Sequence, residues 1–269
     1  MHRRLVSAIS VSLCLGVAPM IGRAATPAGA STVEQSRTAG KVASKVSRAP
    51  LSTGASATTA ATALGSSIDM DRAAREGVSP DVLRLALSAI RCATTSGAIE
   101  MPPTLTLIDY SKPSTEPRLW VFDLASGETL FTELVAHGRN SGDNFANHFS
   151  DEMNSRASSI GLFRTADTYT GSNGYSLRLD GLEPGFNAHA RERAIVMHGA
   201  PYVDASLAAT QGRIGRSWGC PALRTAVAAK VIDTIRGGGV IFSYYPDQKW
   251  LQASKFLNCS APDHTLATN

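Results

Sequence analysis

Short segments of β type recur along the chain between residues 104 and 245, with turn residues between them. They read Thr104–Asp109, Leu119–Leu124, Thr129–Ala136, Gly161–Ala166, Tyr175–Leu179, Ala194–His198 and Val240–Tyr245. Turn-forming pairs such as Ser126-Gly127 punctuate the series. Because no β–α–β repetition alternates with these segments, a doubly wound fold is excluded. The pattern predicts one mainly-β domain with a few helices, an α+β arrangement.

Two segments of the chain have the signature of a helix. Ser79-Pro80-Asp81 combines a capping hydroxyl, a first-turn proline and an acid, and an apolar face follows as far as Ile90. A second helix is predicted over 221–236, ended by three glycines. The folded domain is expected over residues 68–260, with a short tail over 261–269.

The N-terminus has the pattern of a secretory signal peptide. Arg3 and Arg4 precede an apolar run, and small residues lead up to Ala24, the expected cleavage point. The run is too short and too interrupted for a stable membrane span. The sequence therefore predicts export to the periplasm or cell envelope, with no stable membrane span after processing.

Residues 25–67 consist mostly of Ala, Ser, Thr, Gly and Pro and contain no aromatic residue. Such a segment buries too little apolar surface to offset its ordering entropy, so we expect a disordered linker. Residues 1–24 hold three arginines and no acid, and without them the formal charge falls from +4 to +1. The basic character belongs to the leader, which argues against a nucleic-acid partner.

Three cysteines remain beyond the leader: Cys92, Cys220 and Cys259. An odd count in an exported protein suggests one disulfide and one free thiol. We expect Cys92 and Cys259 to pair, the alternative being two unrelated small apolar residues. Cys220 is then the free thiol.

The surroundings of Cys220 suggest nucleophilic chemistry. Residues 194–199 form a β-type run that delivers His198 to the end of a strand, within possible reach of the thiol as its base. Cys220 precedes the helix predicted from Pro221, whose N-terminal dipole would favour the thiolate. The N–H groups of Gly219 and Cys220 could face a developing oxyanion, where one donor contributes about 3–4 kcal/mol.

Three motifs in order resemble the L,D-transpeptidase catalytic domain of the YkuD type. They are Ser158–Phe163 on a strand, then His198-Gly199, then Ser217-Trp218-Gly219-Cys220. The resemblance extends from Leu119 to Tyr245, with a longer interval between the last two motifs than is usual. It implies a β-sandwich or barrel-like catalytic fold, peptidoglycan stem peptides as partners and no cofactor.

The resemblance also implies a role for each matching residue. Cys220 would be the acylated nucleophile and His198 its general base. The carbonyl of Gly199 would fix the imidazole tautomer, and Ser217 would support the loop by hydrogen bonding. The amides of Gly219 and Cys220 would form the oxyanion site.

The chain departs from the family pattern close to the nucleophile. Trp218 replaces a histidine, and Ala222 stands where an arginine is common. Arg213 and Arg216 are candidates for binding a substrate carboxylate, since a guanidinium offers a bidentate fork, although solvated loop arginines are the alternative. Tyr202 could pack over the groove or be an ordinary half-buried tyrosine.

Other functions fit the sequence less well. Residues 215–219 match the G-x-S-x-G nucleophile elbow, but only His264 follows to serve as its histidine. No H-E-x-x-H or similar ligand spacing suggests a metal site. An L,D-carboxypeptidase, in which water accepts the acyl group, and a non-catalytic wall-binding protein remain open. The oligomeric state is not predicted.

Overall fold

The computed structural model describes residues 68–259, and within that range it contains five helices and nine strands. The helices are α1 Met70–Arg75, α2 Pro80–Thr95, α3 Ala205–Gln211, α4 Thr225–Ile235 and α5 Gln248–Ala253. The strands are β1 Thr104–Asp109, β2 Leu119–Asp123, β3 Thr129–Glu133, β4 Val135–Ala136, β5 Gly161–Gly171, β6 Gly174–Gly181, β7 Val196–Ala200, β8 Ala222–Arg224 and β9 Val240–Tyr244. The predicted signal peptide, linker and tail lie outside the described residues.

All nine strands belong to one sheet, in the order β3-β2-β1-β9-β5-β6-β7-β8-β4. The β1–β9 and β7–β8 pairs are parallel, and the other neighbouring pairs are antiparallel. Strands β3 and β4 stand at opposite ends of this order, yet only Leu134 separates them in the chain. The sheet therefore curls round into a nearly closed barrel, and the mainly-β prediction is confirmed.

Strand β1 is buried on both faces, which explains why Thr104 to Ile108 are all apolar residues or threonines. Leu105 and Leu107 belong to a core cluster with Leu83 and Ile90 of α2. Ile108 belongs to a second cluster, which includes the buried face of α4. Because side chains alternate along a strand, β1 separates a core beneath α2 from a core beneath α4.

Helix α2 begins where the sequence predicts. The hydroxyl of Ser79 accepts a hydrogen bond from the Val82 N–H, with Pro80 as the first helical residue. Cys92, in the last turn, forms a disulfide with Cys259, and their Cα atoms are 6.1 Å apart. This covalent link ties α2 to the C-terminal end of the described chain.

The helix predicted over 221–236 is wrong at its start. Ala222–Arg224 form β8, and α4 begins only at Thr225. Strand β8 pairs with β7 on one side and β4 on the other, so its backbone N–H and C=O groups are hydrogen-bonded. In the first turn of a helix, the N–H groups would have no partner within the helix. Cys220 therefore precedes a strand, and the argument that a helix dipole activates its thiol does not hold.

No helix within residues 68–259 is long and apolar enough to cross a membrane.

Candidate active site

The sheet places Cys220 beside the start of β7. In the parallel β7–β8 register His198 is paired with Ala222, two residues after the cysteine. The sulfur accepts a hydrogen bond from the Val196 N–H at 3.5 Å and lies 3.7 Å from the Ala194 carbonyl oxygen. A hydrogen bond thus joins the Cys220 sulfur to β7, the strand that contains His198.

His198 and Cys220 open into the same cleft, which has a volume of about 400 Å³. Both residues are largely buried, with exposed fractions of 4% and 8%. The other lining residues are Ser172, Asn173, Tyr202, Arg216, Ser217 and Trp218. The two side chains therefore share access to one solvent-filled space, although they are distant in sequence.

The imidazole of His198 is held in one tautomer. Its Nδ1 lies 3.0 Å from the Gly199 carbonyl oxygen, which can only accept, so Nδ1 carries the proton. Nε2 is then left with a free lone pair. Burial lowers the pKa of His198, and the Gly199 carbonyl only partly opposes this effect. The ring is a neutral base at pH 7.

Burial also raises the pKa of the Cys220 thiol above its usual value. The Val196 N–H and the positive charge of Arg193 act in the opposite direction without cancelling it. The resting pair is therefore a neutral thiol and a neutral imidazole.

Ser217 holds the turn that carries Cys220. Its hydroxyl donates to the Cys220 carbonyl at 2.6 Å and accepts from the Gly219 N–H at 3.1 Å. The Gly219 amide, predicted as an oxyanion donor, is thus already engaged within the turn. A side chain at Gly219 would come within 2.7 Å of the Ala157 carbonyl oxygen, and its φ of +121° favours glycine.

The remaining predicted residues separate into two groups. Trp218 is 68% exposed and lines the cleft together with Tyr202. Arg216 also lines it, but its Nη1 donates to the Gly142 carbonyl at 2.9 Å and pairs with Asp143 at 2.8 Å. Arg213 donates to the neighbouring Ile214 carbonyl and is not among the residues lining the cleft.

A buried arginine–histidine pair lies behind the turn that carries Cys220. Arg118 is fully buried, and its Nη2 lies 2.7 Å from Nδ1 of His137. Burial lowers the pKa of Arg118 to about 10, and burial together with the Arg118 charge lowers the pKa of His137 to about 4. The His137 carbonyl accepts the Ser217 N–H at 2.9 Å. Sequence reasoning missed Arg118 because nothing in the chain marks an arginine as buried.

Arg193 was also missed, and its positive charge acts on the Cys220 thiol. Its side chain is 3% exposed, and Nη2 would lie 3.4 Å from a Cβ at Gly219. The guanidinium donates to the Ser150 carbonyl, the Ala157 carbonyl and two serine hydroxyls. It thereby fastens the segment 150–159 next to the cleft.

No group of three or more His, Cys, Asp or Glu side chains in the described range is arranged to hold a metal ion.

The sequence matches the family model of the L,D-transpeptidase catalytic domain over residues 74–244, more than half of the chain. Similar solved structures include LdtMt1 in complex with imipenem, with 19% identity, a TM-score of 0.32, and coverage of 52% of this chain and 58% of that one. An L,D-transpeptidase from Mycobacterium smegmatis has 16% identity, a TM-score of 0.34 and coverage of 53% and 59%. One from Stackebrandtia nassauensis has 14% identity, a TM-score of 0.33, and coverage of 71% of this chain and 92% of that one. The chain thus spans less than two thirds of the length of the first two of these proteins. A comparison with curated proteins finds no match.

Proposed function

Because the chain belongs to the L,D-transpeptidase catalytic domain family, we propose that it transfers peptidoglycan stem peptides through a thioester on Cys220. The observation that carries the proposal is the shared cleft of His198 and Cys220. The Gly199 carbonyl leaves Nε2 of the imidazole free to take a proton. A cysteine with an oriented base in an open cleft is the arrangement that acyl transfer requires.

The first step forms the thioester. The Cys220 thiol gives its proton to Nε2 of His198, and the sulfur attacks the carbonyl carbon of the L,D peptide bond. The carbon–nitrogen bond then breaks, and the departing D-residue takes the proton from the imidazolium as a free amine. The Cys220 N–H, which lies next to the sulfur, is the candidate donor to the tetrahedral oxygen.

The second step releases the acyl group. The amine nitrogen of an acceptor attacks the thioester carbon, and His198 takes a proton from that nitrogen. The carbon–sulfur bond breaks, and the imidazolium returns the proton to the sulfur of Cys220. If water attacks instead, the product is a carboxylate and the protein is an L,D-carboxypeptidase.

We propose that this reaction takes place outside the cytoplasm, in the periplasm or cell envelope. The disulfide between Cys92 and Cys259 supports this location, since such bonds persist in oxidising compartments. The signal-peptide pattern of residues 1–24 points the same way.

The test is incubation with a stem tetrapeptide, with and without an added amine, followed by product analysis. We expect release of the terminal D-residue and, with the amine present, a new amide product. Cys220→Ser is expected to abolish both, and a chelator is expected to change neither. Formation of the free acid alone would identify a carboxypeptidase. Wall binding without any turnover by the wild-type protein would contradict the enzymatic proposal and favour a binding module.

A further inference from the structure

Ser158, which opens the Ser158–Phe163 motif, is a buried residue whose hydroxyl contacts the turn that carries Cys220. The hydroxyl donates a hydrogen bond to the Gly219 carbonyl at 3.1 Å and accepts one from the Gly138 N–H at 3.0 Å. A serine hydroxyl has one proton to donate, so here that proton is committed to Gly219. The motif thus places a fixed hydrogen-bond donor directly behind the peptide that precedes the nucleophile.

The Gly219 carbonyl and the Cys220 N–H belong to the same peptide unit. This unit is planar and trans, so its C=O and N–H bonds point in opposite directions. The carbonyl is directed at the Ser158 hydroxyl, and the N–H therefore points away from Ser158, where it lies next to the Cys220 sulfur. Because Gly219 has no side chain to restrict the rotation of this peptide, the hydrogen bond from Ser158 sets the direction of the N–H.

Ser158 also stands in the middle of a chain of hydrogen bonds that all point the same way. The Gly138 N–H donates to the hydroxyl, and the hydroxyl donates to the Gly219 carbonyl. That carbonyl is conjugated with the Cys220 N–H through the peptide bond. Hydrogen bonds aligned in this way polarise one another, most strongly in a buried environment. The Cys220 N–H at the end of the chain is therefore a stronger donor than an isolated amide.

The position of Ser158 is itself fixed by its neighbours. Its N–H donates to the buried Ser141 hydroxyl at 2.8 Å. Arg193 donates to the carbonyl of the preceding residue, Ala157, at 2.7 Å. A Cβ at Gly138 would lie 2.8 Å from the Ser158 nitrogen, so the lack of a side chain there lets the two segments approach. The hydroxyl thus has little freedom to leave its acceptor.

From this arrangement we infer that Ser158 is a positioning residue, which aims the Cys220 N–H at the oxygen of the tetrahedral intermediate by holding the Gly219 carbonyl. The inference rests on the proposed function and adds to it a residue that is not among those lining the cleft. Ser158 exchanges no proton and forms no bond with the substrate. Its effect is confined to steps in which negative charge develops on a substrate oxygen, because only there does the N–H gain that acceptor.

The test compares two reactions of the same sulfur, each followed by intact mass. Formation of a thioester with a stem tetrapeptide passes through a tetrahedral oxyanion, whereas alkylation by iodoacetamide displaces iodide from a saturated carbon and creates no oxyanion. Both reactions need the Cys220 thiolate, so the ratio of the acylation rate to the alkylation rate isolates the contribution of the oxyanion donor. We expect Ser158→Ala to lower this ratio about tenfold, part of the roughly 100-fold that loss of a whole donor costs.

Three further variants control for changes in packing. The side chains introduced by Ser158→Thr and Ser158→Val have nearly the same shape and differ in the hydroxyl, so we expect the ratio to be about tenfold higher in Ser158→Thr. This pair keeps the inference testable if Ser158→Ala does not fold. Ser243→Ala is the matched control, because the Ser243 hydroxyl is also buried and donates to a backbone carbonyl, that of Ser159, at 2.9 Å. Its loss should leave the ratio unchanged.

A wild-type ratio in folded Ser158→Ala, even with both rates reduced equally, would overturn the inference, because a purely structural role affects the two reactions alike. If the wild-type protein forms the tetrapeptide thioester in that case, only the inference fails. p-Nitrophenyl acetate serves as a second acyl donor that requires no recognition of a peptide. If this ester alone acylates the wild-type protein, the proposed function fails, and the ratio measured with the ester still decides the inference. Acylation by neither donor would overturn both.

Discussion

Acid should destabilise the fold through His137, and the structure gives the size of the effect. The imidazole is 1% exposed, and burial and the Arg118 charge lower its pKa to about 4, with a smaller effect from Arg216. In the unfolded chain the pKa returns to about 6.5, so between the two values the unfolded state binds one more proton. The neutral, buried form of His137 therefore contributes to the free energy of unfolding above pH 6.5. This contribution is lost as the pH falls towards 4. The gap corresponds to about 3 kcal/mol.

The assay is urea unfolding of the wild-type protein and His137→Asn at pH 7 and pH 4. The asparagine keeps an acceptor for Arg118 but cannot titrate. We expect its free energy of unfolding to fall by about 3 kcal/mol less than that of the wild-type protein, since all other groups contribute equally to both. His148→Asn, at an exposed histidine, should behave like the wild type. An identical pH dependence in His137→Asn and the wild type would refute the reasoning.

Two further predictions concern the nucleophile and the disulfide. Arg193→Met removes a cation that opposes the rise in the pKa of Cys220. The midpoint pH of alkylation by iodoacetamide should therefore move upward in this variant. In Arg193→Lys, which keeps the charge, the midpoint should stay closer to that of the wild type. A change in rate at every pH with no movement of the midpoint would instead indicate a purely structural role. Cys92→Ala opens a link between residues 167 positions apart and should lower the free energy of unfolding by about 2–5 kcal/mol, measured under oxidising conditions. Equal stability of the variant and the oxidised wild type would contradict this prediction.

Elements specified by local signals could be predicted from the sequence. Strand β1 has the predicted bounds, because its six residues form one apolar and threonine-rich run between turn residues. Helix α2 begins at Pro80 because Ser79 caps it, a contact between near neighbours in the chain. Helix α3 was missed although Asp204 caps it and Gly212 ends it with a φ of +68°. It has no buried residue, so the apolar periodicity that reveals most helices is absent.

Features that depend on distant partners could not be predicted. Ala222–Arg224 were expected to be helical because nothing in the sequence shows that β7 and β4 flank them. The pairing of Arg118 with His137 depends on the approach of β2 to the segment after β4. The pair of His198 and Cys220 was proposed from local residue context and motif order, whereas the cleft that both line is visible only in the fold.

The most direct test of the central claim is to locate the acyl group after reaction with a stem tetrapeptide. The protein is quenched in acid, digested and analysed by tandem mass spectrometry. We expect a tripeptide acyl group, the donor less its terminal D-residue, on the sulfur of Cys220 and on no other side chain. Turnover of the donor with the acyl group on another residue, or with Cys220 replaced by alanine, would contradict it.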